Sequence, residues 1–114
     1  MLARVPETSA FYATSRGQIA WALQRSGRSQ SALAVAAEAL DHSPDRGLQI
    51  QIADLYRAVG RQEQAEALLT EIIRDDASHK REDWRLFYAR GVSRGELGDW
   101  PEGERDLLKA LALQ

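Results

Sequence analysis

Apolar residues recur along this chain with helical spacing, and short polar breaks separate the runs. The clearest run follows Gly60. Ala65, Leu68, Leu69, Ile72 and Ile73 keep the i, i+3, i+4, i+7, i+8 spacing of one buried helix face. Glu63, Gln64, Glu66 and Glu71 between them are polar and good helix formers. Before the glycine, Leu48, Ile52, Leu55, Tyr56 and Val59 form a second apolar stripe. Gly60 follows that stripe, where a residue without a Cβ can close a helix in the left-handed conformation. Two amphipathic helices joined so tightly fold back on each other as an antiparallel pair. One such pair buries too little to be stable alone.

A weaker version of the pattern lies on either side. Thr8 or Ser9 is positioned to cap a helix that runs to about Ser26, with Phe11, Ile19, Ala20 and Leu23 inward and Gly27 as its stop. Ser29 is the expected cap of a second helix carrying Ala32, Leu33, Ala36, Ala39 and Leu40. Pro44 ends it, because the residue before a proline disfavours the α conformation. Asp45 is placed to cap the central pair. After Ile73, the stretch RDDASHKRED reads as a charged, solvated connector. A third pair begins with Trp84, Phe87, Tyr88, Gly91, Val92 and Leu97. It breaks at Gly98, and Asp99 and Pro101 suit the start of a last helix with Leu107, Leu108, Leu111 and Leu113. The organisation expected is one domain with units at 9–44, 45–77 and 80–114. Residues 1–6 read as the stub of a preceding helix, since Leu2-Ala-Arg-Val-Pro6 echoes Leu40-Asp-His-Ser-Pro44.

Composition narrows the class. Few β-branched residues and many Ala, Leu, Glu, Gln and Arg favour an all-α fold. At 114 residues there is room for a modest core. No apolar run reaches the ~18 residues of a membrane span, and the N-terminus lacks a signal-peptide stretch, so a soluble chain is expected, with the cytoplasm favoured. Zero cysteines exclude disulfides and thiolate metal sites. A net charge of −2 argues against a dedicated nucleic-acid binder.

Catalytic signals are weak. His42 and His79, the two histidines, have no ligand partner close in sequence. Asp75 and Asp76 fit a loop better than acid–base work, because a helix C-terminus disfavours negative charge. Gly91, Gly95 and Gly98 lie in a helical pattern and lack the ending of a phosphate loop, so close helix packing accounts for them better. The chain is expected to be no enzyme and to carry no cofactor or metal. Arg90 and Arg94 share a helix face and, with Lys80, Arg81 and Arg85, form the most basic region. That keeps an RNA-binding helical repeat as the alternative, although Glu82, Asp83 and Glu96 are interleaved. A non-catalytic arm of a larger enzyme is a further alternative.

The three break glycines, Gly27, Gly60 and Gly98, are separated by 33 and 38 residues. A period near ~34 with two helices per unit points to an α-solenoid. Seven residues before each glycine stands a small residue (Ala20, Ala53, Gly91). Five after it stands Ala32, Ala65 or Gly103; twelve after it, Ala39, Ile72 or Ala110, then Leu40, Ile73 or Leu111. In this pattern the chain resembles the tetratricopeptide repeat family over roughly Ala13 to Gln114. Tyr56, Trp100 and Pro44 match further family positions. Gly103 departs from the family's alanine, Arg94 stands where Tyr56 stands one unit earlier, and Ala36 replaces the larger residue seen at Leu69 and Leu107. The longer second spacing is expected to lengthen the third unit's first helix by about one turn.

The resemblance implies three antiparallel helix pairs in a right-handed superhelix, whose first helices line a concave groove for a peptide or helix of another protein. The groove candidates are Gly17, Trp21, Gln24, Arg25, Ile50, Asp54, Arg57, Tyr88, Val92 and Glu96. Trp21 and Tyr88 either face that groove or pack against neighbouring helices, and Arg57 suits a solvated face as well as a contact. One subfamily clamps C-terminal carboxylates with lysine and asparagine. Here those positions hold Gly17, Trp21, Ile50, Asp54, Tyr88 and Val92, so that clamp is absent. A mixed groove of aromatic, aliphatic and scattered charged residues suits an amphipathic segment. The stub and the apolar last helix imply neighbouring repeats, and the end faces are expected to self-associate.

Overall fold

The computed structural model describes residues 5–6 and 9–114. Thr8 and residues 1–4 of the expected stub lie outside them. The described residues form six helices: α1 Tyr12–Arg25, α2 Ser29–His42, α3 Arg46–Ala58, α4 Gln62–Ser78, α5 Trp84–Glu96 and α6 Trp100–Leu113. The chain divides into two compact units, Met1–Leu55 and Tyr56–Gln114, with α3 contributing to both.

One closing motif recurs at four helix ends. After α1, Gly27 N–H donates to the Gln24 carbonyl and Arg28 N–H to the Leu23 carbonyl. The same two bonds follow α3 (Gly60 to Arg57, Arg61 to Tyr56) and α5 (Gly98 to Gly95, Asp99 to Arg94). They satisfy carbonyls that a helix C-terminus leaves open, and they need a left-handed residue between them. Gly27, Gly60 and Gly98 supply it at φ 82°, 81° and 85°. After α4 the same bonds form (Lys80 to Ala77, Arg81 to Asp76), but the left-handed residue is Lys80 at φ 56°. A residue with a Cβ costs about 1–2 kcal/mol there. Lys80→Gly is therefore expected to raise stability by about 0.5–1 kcal/mol, part of the relief being offset by unfolded-state entropy. An unchanged or lower thermal midpoint would contradict the assignment.

The Lys80 turn also corrects the connector. Arg74 to Ser78 continue α4, so RDDAS is helix and only residues 79–83 link α4 to α5. The longer glycine spacing is absorbed here, not in α5. α4 has 17 residues against 14 in α2, while α5 and α3 both have 13. The charged residues after Ile73 are themselves compatible with a helix, so nothing local stops α4 until Lys80.

In unit 1, α1 packs on α2. Its core holds Tyr12, Ala20, Ala32, Leu33, Ala36, Ala39, Leu48, Ile52, Ala53 and Leu55. The small residues at the repeat positions are fully enclosed, as close helix approach requires. Two expected core residues of α1 are displaced: Phe11 and Ile19 are exposed, and Tyr12 and Ala13 are buried in their place. Tyr12 meets the His42 ring edge-on, with centroids 6.3 Å apart. The helix thus presents a face rotated from the one its sparse apolar residues suggest.

In unit 2, α5 packs on both α4 and α6. Ala65, Leu69, Leu86, Ala89 and Ala110 are buried. At the α5–α6 crossing the two backbones approach so closely that a Cβ on Gly91 would lie 2.9 Å from the Gly103 carbonyl oxygen, and one on Gly103 3.0 Å from that of Gly91. Gly103 is thus required by its partner glycine, which is why it departs from alanine.

Helix starts follow the expected residues in part. Asp45 caps α3 through its Oδ2, which accepts from Leu48 N–H at 3.0 Å. Asp99 occupies the N-cap of α6 without a side-chain bond, and Pro101 lies in its first turn. Ser29 is the first residue of α2, not its cap; the boundary residue is Arg28, left there by the three-residue turn. Ser9 Oγ accepts from Phe11 N–H at 3.1 Å, ahead of α1. Asp83, read as part of the connector, caps α5 by accepting from Arg85 N–H at 3.0 Å.

Candidate functional site

In unit 1 the expected contact residues lie on α1 and α3. Trp21 is 56% exposed although it is the largest side chain on α1. Arg25, one turn on, holds its guanidinium carbon 4.9 Å from the Trp21 ring centroid. Such stacking contributes about 0.5–1 kcal/mol at an exposed site and fixes both side chains in place. Asp54 is exposed, and Gln24 and Ile50 are half-buried. Gly17 has a packing role: the Gln51 side-chain amide donates to its carbonyl at 2.8 Å, and a Cβ there would stand 3.0 Å from Gln51 Oε1. It is the point where α1 and α3 approach.

In unit 2, Tyr88, Val92 and Glu96 recur every fourth residue along α5 and so share a face. Tyr88 is 54% exposed, and the Trp84 ring meets it edge-on at 6.4 Å. Trp84 extends this face by one turn and was not among the expected contacts, although its spacing from Tyr88 carries the signal. Arg57, in the last turn of α3, and Glu96 form an ion pair at 2.6 Å. Both remain partly exposed, so the pair stabilises by less than about 1 kcal/mol. It orders the charged edge of the Tyr88 face.

The basic pair offered to RNA is turned inward. Arg90 grips Asp106 with two hydrogen bonds, Nε to Oδ2 and Nη2 to Oδ1, each 2.8 Å. Arg94 reaches Asp106 Oδ2 at 2.9 Å and Glu66 Oε2 at 2.9 Å. Asp106 is almost completely buried. Burial works against the Arg94 charge, but the Glu66 hydrogen bond and the fields of Asp106, Glu66 and Glu102 outweigh it and hold its pKa above the ordinary arginine value. These guanidiniums tie α5 to α4 and α6, and their charge is matched before any phosphate arrives.

The remaining candidate groups have structural settings. His79 donates from Nδ1 to the Asp75 carbonyl at 2.9 Å, at the end of α4. Asp76 is buried in the last turns of α4, with its carboxylate 4.0 Å from Arg81. Among the described residues no group of three or more His, Cys, Asp or Glu could hold a metal ion. Among the same residues, no helix is long and apolar enough to cross a membrane.

No family model matches the sequence, and no curated protein matches it. A solved structure does: the second TPR of Spaghetti (RPAP3) bound to the HSP90 peptide SRMEEVD. It superposes with a TM-score of 0.74 at 23% identity, over 90% of this chain and 93% of that one. The chain therefore has the fold of a tetratricopeptide-repeat domain, an α-solenoid of three helix pairs.

Proposed function

We propose that this chain is a non-catalytic interaction domain that holds an amphipathic segment of a partner protein against its first-helix faces. The observation that carries this is the exposure of Trp21 and Tyr88. Two large aromatic side chains stand about half in water, each ordered by a neighbour, Arg25 or Trp84. Ordered, exposed aromatics beside arginine are the usual anchors of binding hot spots. The similar solved structure holds a peptide, which supports a peptide as the occupant here.

The peptide's chemistry must differ. SRMEEVD is acidic, whereas the family resemblance implies that Gly17, Trp21, Ile50, Asp54, Tyr88 and Val92 stand where a carboxylate clamp would need lysine and asparagine. The test is selection from a displayed library of natural peptides, followed by anisotropy titration of those retained. Trp21→Ala and Tyr88→Ala are each expected to weaken the selected peptides by at least about tenfold, a loss typical of an anchor. SRMEEVD itself is expected to show no saturable binding. Equal affinity for both variants and the parent, or tight binding of SRMEEVD, would overturn the assignment.

A further inference from the structure

We infer that the segment held on the α5 face of unit 2 is a proline-rich stretch in the extended polyproline II form, with a lysine or arginine at the end that meets Glu96. This rests on the proposed function and specifies the form and charge of its occupant.

The face offers aromatic rings and hydrogen-bond donors. Trp84, Tyr88, Val92 and Glu96 follow one another at every fourth residue of α5. Trp84 is 37% exposed and Tyr88 54%. Among the described residues, neither the Trp84 indole N–H nor the Tyr88 hydroxyl is hydrogen-bonded to the protein. An indole N–H only donates, and a phenol O–H donates as well as accepts. The face therefore suits an occupant with open acceptors. A helical occupant has spent its carbonyls on its own N–H groups. A β-strand would bring unpaired N–H groups as well, and the described elements are all helices, with no strand edge to receive them. A polyproline II chain has no internal hydrogen bonds, so its carbonyls stay open, and proline has no N–H to leave unpaired. Aromatic-lined grooves are the usual docking surface for such segments.

The spacing agrees. From Trp84 to Glu96 an α-helix rises about 18 Å, and six residues of polyproline II span about 18.6 Å, which is two full turns. Position i over Trp84 and position i+6 at Glu96 thus lie on one edge of the three-sided polyproline helix. Position i+2, about 6.2 Å along, meets Tyr88, which is about 6 Å from Trp84. Positions i+3 and i+5 straddle Val92.

The far end is suited to a cation. Glu96 is the last residue of α5, where the helix dipole is negative. Its side chain is 39% exposed, and Arg57 takes one of its carboxylate oxygens, Oε1. Oε2 remains for a basic side chain at i+6.

The test is an NMR titration of the 114-residue chain with three end-capped peptides. These are Pro-Ser-Pro-Pro-Ser-Pro-Lys, the same peptide with glutamine in place of lysine, and an amphipathic helix former of leucine, alanine and lysine. The lysine-ended proline peptide is expected to saturate with a Kd below about 1 mM. Tyr88→Phe removes only a hydroxyl and is expected to weaken it by about three- to tenfold. Glu96→Gln is expected to weaken the lysine-ended peptide by up to about fivefold and to leave the glutamine-ended one unchanged. Both sites are exposed, and circular dichroism checks the fold of each variant. If the helix former binds, is lost on Tyr88→Ala, and the proline peptides do not bind, the inference falls while the proposed function stands. Proline peptides that bind Tyr88→Phe as tightly as the parent also overturn it. So does an absence of binding by all three peptides, and the library selection then decides the proposed function by itself.

Discussion

Asp106→Ala is expected to lower the unfolding free energy by about 3 kcal/mol, the low end of what removing one member of a buried ion pair costs. The carboxylate stands between two guanidiniums that have little access to water: the Arg90 side chain is 13% exposed and that of Arg94 17%. Asp106 accepts three hydrogen bonds from them, at 2.8, 2.8 and 2.9 Å. Without it, Arg94 keeps Glu66, but Arg90 retains only a long hydrogen bond to Thr70 and its place over the Phe87 ring, with no carboxylate against it. The loss would then be a large part of the ~5–15 kcal/mol by which domains are stable. The control is Glu102→Ala, which removes an exposed pair with Arg105 and a long 3.8 Å contact to Arg94; its cost should stay below about 1 kcal/mol. Urea titration reads both. A loss under about 1 kcal/mol for Asp106→Ala would show that the network is not holding α5 against α6.

Gly91→Ala and Gly95→Ala are expected to move stability in opposite directions, by a difference of about 2–3 kcal/mol between them. The two residues are one turn apart in α5. Each substitution gains about 1 kcal/mol of helix propensity. At Gly95 a Cβ meets nothing within 4 Å, so that gain is realised. At Gly91 the Cβ would lie 2.9 Å from the Gly103 carbonyl oxygen, 3.0 Å from Leu107 Cγ and 3.1 Å from Asp106 Cβ. Backbone cannot step aside as a flexible side chain can, so α5 and α6 must separate. Overpacking of this kind costs up to about 3 kcal/mol or somewhat more, leaving a net loss of about 1–2 kcal/mol. Separation would also stretch the Arg90–Asp106 bonds, so Gly91→Ala and Asp106→Ala together should cost less than their separate losses combined. Equal gains at both glycines in a thermal melt would sink the close-approach account.

The contact residues that the family resemblance implies differ in their settings. Trp21 and Tyr88 are exposed, and Arg57 and Glu96, both expected contacts, pair with each other. Gly17 was legible only as a position: the structure gives it to the α1–α3 approach through Gln51, thirty-four residues away. The basic cluster misled for a similar reason. A run of arginines shows its charge in the sequence but not its partners, and Asp106 lies twelve residues beyond Arg94 and sixteen beyond Arg90.

By itself the sequence determined the helix breaks and the repeat. A glycine that must take a positive φ and a proline that ends a helix act over a few residues, so Gly27, Gly60, Gly98 and Pro44 speak without tertiary context. Small residues at a constant distance from each glycine likewise marked where helices come close. Tertiary structure decided which face of α1 turns inward, because few large apolar residues there outvote one another and Tyr12 wins its place by meeting His42. It decided the length of α4, whose charged end is as good a helix as a loop until Lys80 turns it. It also decided that Arg90 and Arg94 are internal ties. Burying a charge is unfavourable unless an opposite charge is brought within hydrogen-bonding reach, and only the packing of α4, α5 and α6 brings Glu66 and Asp106 there.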